Sequence, residues 1–261
     1  MSTFHEFSAL KRFVLRLIEQ FSFLGIHLYQ LSNLRNLPRF FRDLQTFRKM
    51  GGGYTGLTAL LNDYDASAGV ASGHYFHQDL LIARYIFEQN PEKHFDFGSR
   101  VDGFVAHLAS FRDLTLMDIR GLEIPEHPQI SFKVCDIMQL NEIEVAESLS
   151  CLHTLEHIGL GRYGDEINPN GHILAFNNLL NFVKSGGVFY LSFPISNSSK
   201  VYFNRERVMA PTDLLSWSDN AFEVEKFDYV DDKGNLHLNQ DLNDFIPRLD
   251  YGCGIYTLRK H

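Results

Sequence analysis

The sequence predicts an α/β fold: a doubly wound, mostly parallel sheet with a closing antiparallel strand, preceded by an N-terminal helical extension. Three observations carry this. From His94 onward, short apolar runs alternate with segments of helical spacing, the pattern of a parallel sheet with crossover helices. Within His94 to Asp118, a strand, a glycine-containing turn, a helix and a second strand ending in an acid follow one another. The tail instead holds two strand-like runs, Phe222 to Tyr229 and Gly254 to Arg259, joined by the turn-rich segment Asp231 to Asp244 rather than a crossover helix.

The 261 residues are enough for a sizeable core, and 44% hydrophobic with 21% charged content is ordinary for a globular chain. Through Met50, eight Lys/Arg stand against three Asp/Glu; the remainder has sixteen against twenty-nine. The acidic body argues against nucleic acid as a partner. No secretory signal and no apolar run of membrane-spanning length is evident, so a cytoplasmic location is expected. Cys135, Cys151 and Cys253 are odd in number and outside any CxxC pair, which argues against a disulfide framework and a cysteine zinc site.

Leu10, Phe13, Val14, Leu17, Ile18, Phe21, Leu24, Leu28 and Leu31 recur at three- and four-residue intervals, predicting an amphipathic helix; Pro38 punctuates it, and Arg39 to Lys49 form a second, basic helix. Two readings stay open for this extension. It docks on a membrane, peripheral to its inner face, or it caps the core or a homo-oligomer contact. Gly51, Gly52 and Gly53 mark a junction, so the domains are expected at 1–53 and 54–261. A helix entered through His74 to Asp79 and closed before Pro91 precedes the first strand.

That strand, Phe95 to Phe97, is followed by Gly98 and Gly103; Val105, Leu108 and Ala109 then pack a helix onto the sheet. Leu114 to Met117 is the second strand. Asp118 falls about twenty residues after the turn, where such folds place a carboxylate on an adenosine ribose. Ile130 to Val134 ends at Cys135 and Asp136, and Glu147 to His153 ends at an unusual loop. Ile173 to Val183 is a helix, Lys184 to Gly187 a turn, and Val188 to Phe193 a fifth strand. Asp118, Asp136 and His153 would open on one crevice at the strands' carboxyl ends.

With the pieces DFGSRVDGF, LMDIR, VCDIM, SCLHTLEHIGLGRYGD and VKSGGVFYLSFP in this order, the chain from about His74 resembles a class I S-adenosylmethionine-dependent methyltransferase, with its Rossmann-like sheet. GHYFHQDL, DFGSRVDGFVAHL and CLHTLEHIGLGRYGD more closely resemble a methyltransferase-like family of unknown function found in bacterial surface-polysaccharide clusters and in nematodes. The resemblance implies S-adenosylmethionine as cofactor. Gly98, Ser99, Arg100 and Gly103 would face its methionine part, Asp118 and Ile119 the ribose, and Asp136 and Ile137 the adenine, with His153 bordering the site. Either aspartate has another use, capping a helix or pairing with Arg100 or Arg120. Arg100 and Asp102 stand where the usual pattern has glycines: they contact the cofactor's carboxylate and amine, or they close the site.

A hydroxyl acceptor needs a base. His157 and Glu156 are the first candidates, with Asp165 behind them; the alternative is that these side chains hold the glycine-rich loop. Tyr163, Arg162, His74, Tyr75 and His77 are candidates for the acceptor site. The expected activity is O-methylation of a small molecule or glycan acceptor, such as a surface-polysaccharide precursor. A non-catalytic binding or scaffold protein in glycan assembly is the main alternative. His153 to His157 also fits the HxxEH zinc-hydrolase pattern, but follows a strand rather than lying in a long helix, so no metal is expected there.

Overall fold

A computed structural model describes residues 28–122, 127–143, 145–244 and 248–261. The chain divides into two compact units, Met1–Val70 and Ala71–His261. Most of the periodic stretch Leu10 to Leu31 lies outside the described residues.

In the first unit, a 3₁₀ segment Leu28–Asn36 leads into helix α1, Leu37–Lys49. Pro38 sits in its first turn, where the missing N–H would have no partner anyway. The Asn36 amide donates to Asp65 (3.0 Å) and to the Leu61 carbonyl (2.9 Å), and Arg35 pairs with Asp65 at 3.0 Å. None of the residues of α1 is buried, and Phe41 and Phe47 stay exposed beside Arg42 and Arg48.

The second unit is built on an eight-stranded sheet. Its strands are β1 His94–Phe97, β2 Leu114–Asp118, β3 Ile130–Val134, β4 Ala146–Leu152, β5 Val183–Ile195, β8 Phe222–Val230, β9 Leu236–His237 and β10 Gly252–Lys260. A separate hairpin pairs β6, Lys200–Tyr202, with β7, Glu206–Val208. The sheet order is β3-β2-β1-β4-β5-β10-β8-β9. β1 to β5 are parallel, and β10 lies antiparallel between β5 and β8. This is the Rossmann-like, doubly wound sheet with a closing antiparallel strand. Winding reverses between β1 and β4, the switch point at which such sheets open a crevice.

Alternation along the strands feeds two apolar layers. On one face Leu149, Cys151, Phe189, Leu191 and Phe193 meet Phe176 and Leu179 of a helix at Gly171–Phe182, with Trp217 against them. On the other, Leu114, Leu116, Val188 and Tyr190 meet Ile82 and Ile86 of helix α2, His74–Gln89, together with Phe104 and Leu108. Phe104 belongs to a π-helical turn, Val101–Val105, which passes into the short helix α3, Ala106–Ala109; the helix at Gly171–Phe182 is therefore α4.

Two local features differ from the sequence expectation. Lys184 to Gly187 does not separate helix from strand: β5 already begins at Val183. Pairing jumps from Ala146↔Val183 to Ser148↔Val188, so these residues form a bulge, with Gly186 at φ 75°. The β6–β7 hairpin, mostly exposed on its first strand and buried on its second, carries no apolar alternation that would announce it.

Candidate functional site

A cavity of about 560 Å³ opens at the carboxyl ends of the parallel strands. Its lining includes Tyr75, Gly98 to Asp102, Asp118, Arg120, His153, Glu156, His157, Arg162, Tyr163 and Tyr251. A narrower pocket of about 50 Å³ is lined by several of the same residues, together with Ile119, Asp136, Ile137, Thr154 and Asp165. All of these were candidates from the sequence except Val101, Arg120, Thr154 and Tyr251.

The turn after β1 is set by a buried acid. Asp96, fully enclosed on β1, accepts from the Ser99 N–H (3.1 Å), the Ser99 hydroxyl (2.7 Å) and the Ser150 hydroxyl (2.5 Å). Burial pushes its carboxyl up to about 6 despite those donors. Gly98 turns at φ 71°, and a Cβ there would lie 2.7 Å from Thr154 Cγ2, so both conformation and space require glycine. Ser99 thus spends its hydroxyl on Asp96 while still lining the cavity. Gly103 lies outside the lining; a Cβ on it would meet Asp79 Oδ2 at 2.7 Å, so it answers to packing against α2.

Arg100 and Asp102 do not fill the cavity. They pair with each other at 3.3 Å, and the Arg100 guanidinium lies 4.9 Å above the Tyr75 ring. Asp118 reaches the cavity from the end of β2, yet Arg120 holds both its oxygens: N–H and Nε donate to Oδ1 (2.8 and 2.9 Å), Nη2 to Oδ2 (2.6 Å). Arg120 in turn stacks on Tyr163 at 4.4 Å. Asp136 caps the 3₁₀ turn Ile137–Gln139 by accepting from the Met138 N–H at 2.9 Å.

The loop after β4 gathers three titratable side chains. His153 has φ 50°, and its Nδ1 bonds Glu156 Oε1 at 2.8 Å. Glu156 is buried, and its Oε1 lies 3.8 Å from His157 Nε2. His157 Nδ1 donates to the Arg205 carbonyl at 2.7 Å, a tautomer that leaves Nε2 as the basic nitrogen. Burial pulls the His153 imidazole down, but its neighbours Cys253 and Glu156 outweigh burial and hold it well above the ordinary histidine value. His74 stacks on His153 (centroids 5.4 Å) and on Tyr251 (5.4 Å); burial, then the charge on His153, lowers it to about 4.

Two expectations are corrected here, for Asp165 and His77. Asp165 is no reserve for the base: its Oδ2 accepts from the Gly159 and Gly161 N–H groups (2.6 and 3.2 Å) and its Oδ1 from Tyr163 N–H (3.2 Å), which folds the loop. His77 stays on α2 against Phe76 and outside the cavity. HxxEH forms a 3₁₀ turn, Leu155–His157, with Glu156 between the two rings, so His153 and His157 do not share an open ligand position.

Sequence reasoning missed Asp96, Arg207 and Tyr251. Asp96 had a signal, an acid two residues before the turn glycine. Arg207 and Tyr251 had none, because their partners lie far off in the chain. Arg207, 3% exposed, donates to the carbonyls of Ile158 (2.6 Å) and Pro169 (3.1 Å), gripping the loop from β7. Tyr251 donates to Glu206 Oε2 at 3.1 Å.

A family model described as "Caenorhabditis protein of unknown function, DUF268" matches residues 136–230. No curated protein matches the sequence. Among solved structures, the chain is similar to the cyclase SpnF (14% identity, TM-score 0.49, 70% of this chain and 81% of that one). It is also similar to the Burkholderia thailandensis 1,6-didemethyltoxoflavin-N1-methyltransferase, solved with 1,6-didemethyltoxoflavin and S-adenosylhomocysteine (17%, 0.48, 70% and 78%). A third is the N-methyltransferase NodS of Bradyrhizobium japonicum with S-adenosylhomocysteine (13%, 0.47, 72% and 88%).

Proposed function

We propose that the protein is an S-adenosylmethionine-dependent methyltransferase acting on a hydroxyl acceptor. The observation that carries this reading is convergence: the Gly98 turn, Asp118, the Asp136–Ile137 strand end and the His153–His157 loop all line adjoining cavities at one switch point. The room fits a nucleoside-sized ligand, and glycine at position 98 lets its backbone approach.

When bound, the cofactor supplies an electrophilic methyl group on a sulfonium. The protein's own residues do the rest. Gly98 and Ser99 would border the ligand, Asp118 would accept from the ribose hydroxyls in place of Arg120, and Ile137 would flank the adenine. His157 takes the acceptor's proton at Nε2, its ring fixed by the Arg205 carbonyl and its imidazolium stabilised by Glu156. Tyr163, Arg162 and Tyr75 border the acceptor. A sugar or surface-polysaccharide precursor as acceptor rests on the family resemblance alone. The exposed basic α1 fits a peripheral role at an anionic membrane face or in a homo-oligomer, in a cytoplasmic protein; among the described residues no helix is long and apolar enough to cross a membrane.

Calorimetry with S-adenosylmethionine and S-adenosylhomocysteine tests the reading: binding is expected, and folded protein that binds neither at millimolar ligand overturns it. An Asp118→Ala variant that binds as tightly as the parent overturns the ribose assignment. A second reading, a non-catalytic binding or scaffold protein, draws on Arg120 occupying both oxygens of Asp118; failure to bind either ligand supports it.

A further inference from the structure

Beneath the cavity lies a cluster that methyl transfer to a hydroxyl does not use. His74 opens α2, His153 follows β4, and Cys253 stands at the start of β10. Because β10 runs antiparallel, its first residues lie at the same end of the sheet as the last residue of β4. One ligand atom from each of the three side chains lies within 4.8 Å of the others.

The geometry points to a metal site of zinc type formed by His74, His153 and Cys253, with Glu156 as the support of its central ligand. Two imidazoles and a thiolate match the borderline-soft preference of Zn²⁺. Tetrahedral zinc, with ligands at about 2.0–2.3 Å, places its donor atoms roughly 3.3–3.8 Å apart, so the cluster needs to contract by about 1 Å.

His153 supplies the second, independent observation. Its side chain is 5% exposed, its Nδ1 is held by Glu156 at 2.8 Å, and its buried Nε2 has no partner outside the cluster, facing Cys253 alone. A carboxylate on one ring nitrogen with the other left free is how proteins orient a metal-binding histidine. The left-handed backbone at His153, φ 50°, is strain that aims this ring inward. Behind Cys253, Gln78 takes the thiol at 3.8 Å and is itself fixed by the Ser192 hydroxyl at 2.6 Å. Three protein ligands leave a fourth position, the arrangement of zinc sites that bind water or a substrate oxygen. His153 lines the cavity above. In this site the HxxEH segment supplies one ligand, His153, and the supporting Glu156, while the other two ligands come from the two ends of the domain.

The test uses the full chain, stripped with chelator and titrated with ZnCl₂ by calorimetry, with bound metal counted after dialysis. One equivalent per chain is expected. Co²⁺ in its place should give a thiolate-to-cobalt absorption band that disappears in Cys253→Ser and persists in Cys135→Ser. Glu156→Gln should weaken zinc by about 10–100-fold. Should Cys253→Ser not fold, His74→Ala, altered at a partly exposed ring, must still lose the equivalent. Wild-type protein without stoichiometric zinc, or a cobalt band unchanged in Cys253→Ser, overturns the assignment. None of these readouts requires the methyl donor, so the site stands or falls apart from the proposed activity.

Discussion

The guanidinium of Arg207 donates to the carbonyl of Ile158 at 2.6 Å, so a hairpin far along the chain holds the loop that carries Glu156 and His157. Further bonds reach the carbonyls of Asn168 and Pro169 at 3.4 and 3.1 Å. Arg207→Met leaves these acceptors without a charged donor, at about 1–3 kcal/mol for a buried group left unsatisfied. Urea unfolding should show that loss. Arg207→Lys should recover only part of it, because an ammonium cannot span the carbonyls as a planar fork does.

Two buried groups on β1 give opposite pH slopes. Asp96 is raised by burial to about 6, so the folded state keeps a proton the unfolded chain has lost: its contribution is full below about 4 and fades as pH rises through about 6. His94, bonded to Ser148 and Ser150, is lowered by burial to about 3; the unfolded chain binds the proton first, and stability rises with pH between about 3 and 6.5. Asp96→Asn should therefore steepen the rise in stability between pH 4 and 6, and His94→Gln should flatten or invert it. Unfolding free energies across that window check both signs.

Gly98→Ala should destabilise the protein by about 1–2 kcal/mol for the left-handed backbone alone, and further through the contact with Thr154. Thr154→Ala removes the Cγ2 that the new Cβ would meet at 2.7 Å. The double variant should thus be more stable than the sum of the single changes predicts, as a double-mutant cycle by thermal unfolding will show. Strict additivity would mean that the backbone alone demands glycine.

Removing the competitor for Asp118 should help a ribose. The Arg120 side chain is half exposed, and such pairs contribute about 0.2–1 kcal/mol. Arg120→Ala should tighten S-adenosylhomocysteine by up to about fivefold, whereas Asp118→Ala should weaken it. If Arg120→Ala weakens binding instead, the arginine contacts the ligand and the carboxylate is its support.

What could be read from the sequence follows the range of the forces involved. The parallel strands were legible because each is a short apolar run between polar loops, and their carboxyl ends because Asp118, Asp136 and His153 interrupt those runs. Gly98 was legible from the turn it makes. Gly103 looked the same in sequence, but its requirement comes from Asp79 on a different helix, which spacing cannot reveal. Asp165 and Glu156 are both acids of one loop; only the folded backbone shows that the first satisfies amide groups while the second faces two imidazoles. Cys253 stands outside any CxxC pair, so its spacing spoke against a zinc ligand. Its two histidine neighbours arrive from α2 and the end of β4, and only the antiparallel course of β10 brings the three together.

That course of β10 also bears on how the protein folds. Ser192 on β5 pairs with Ile255, and Phe227 on β8 with Tyr256, so β10 must slot between two strands that were laid down well before it. Closing the loop to β5, roughly sixty residues, carries an entropic cost that local contacts do not offset in advance. Until that insertion is complete, β5 and β8 each present an unpaired edge, the cleft lacks Tyr251, and the cluster beneath it lacks Cys253. Binding in the cleft is therefore expected to return late in refolding, behind the recovery of helical signal, when both are followed after dilution from denaturant.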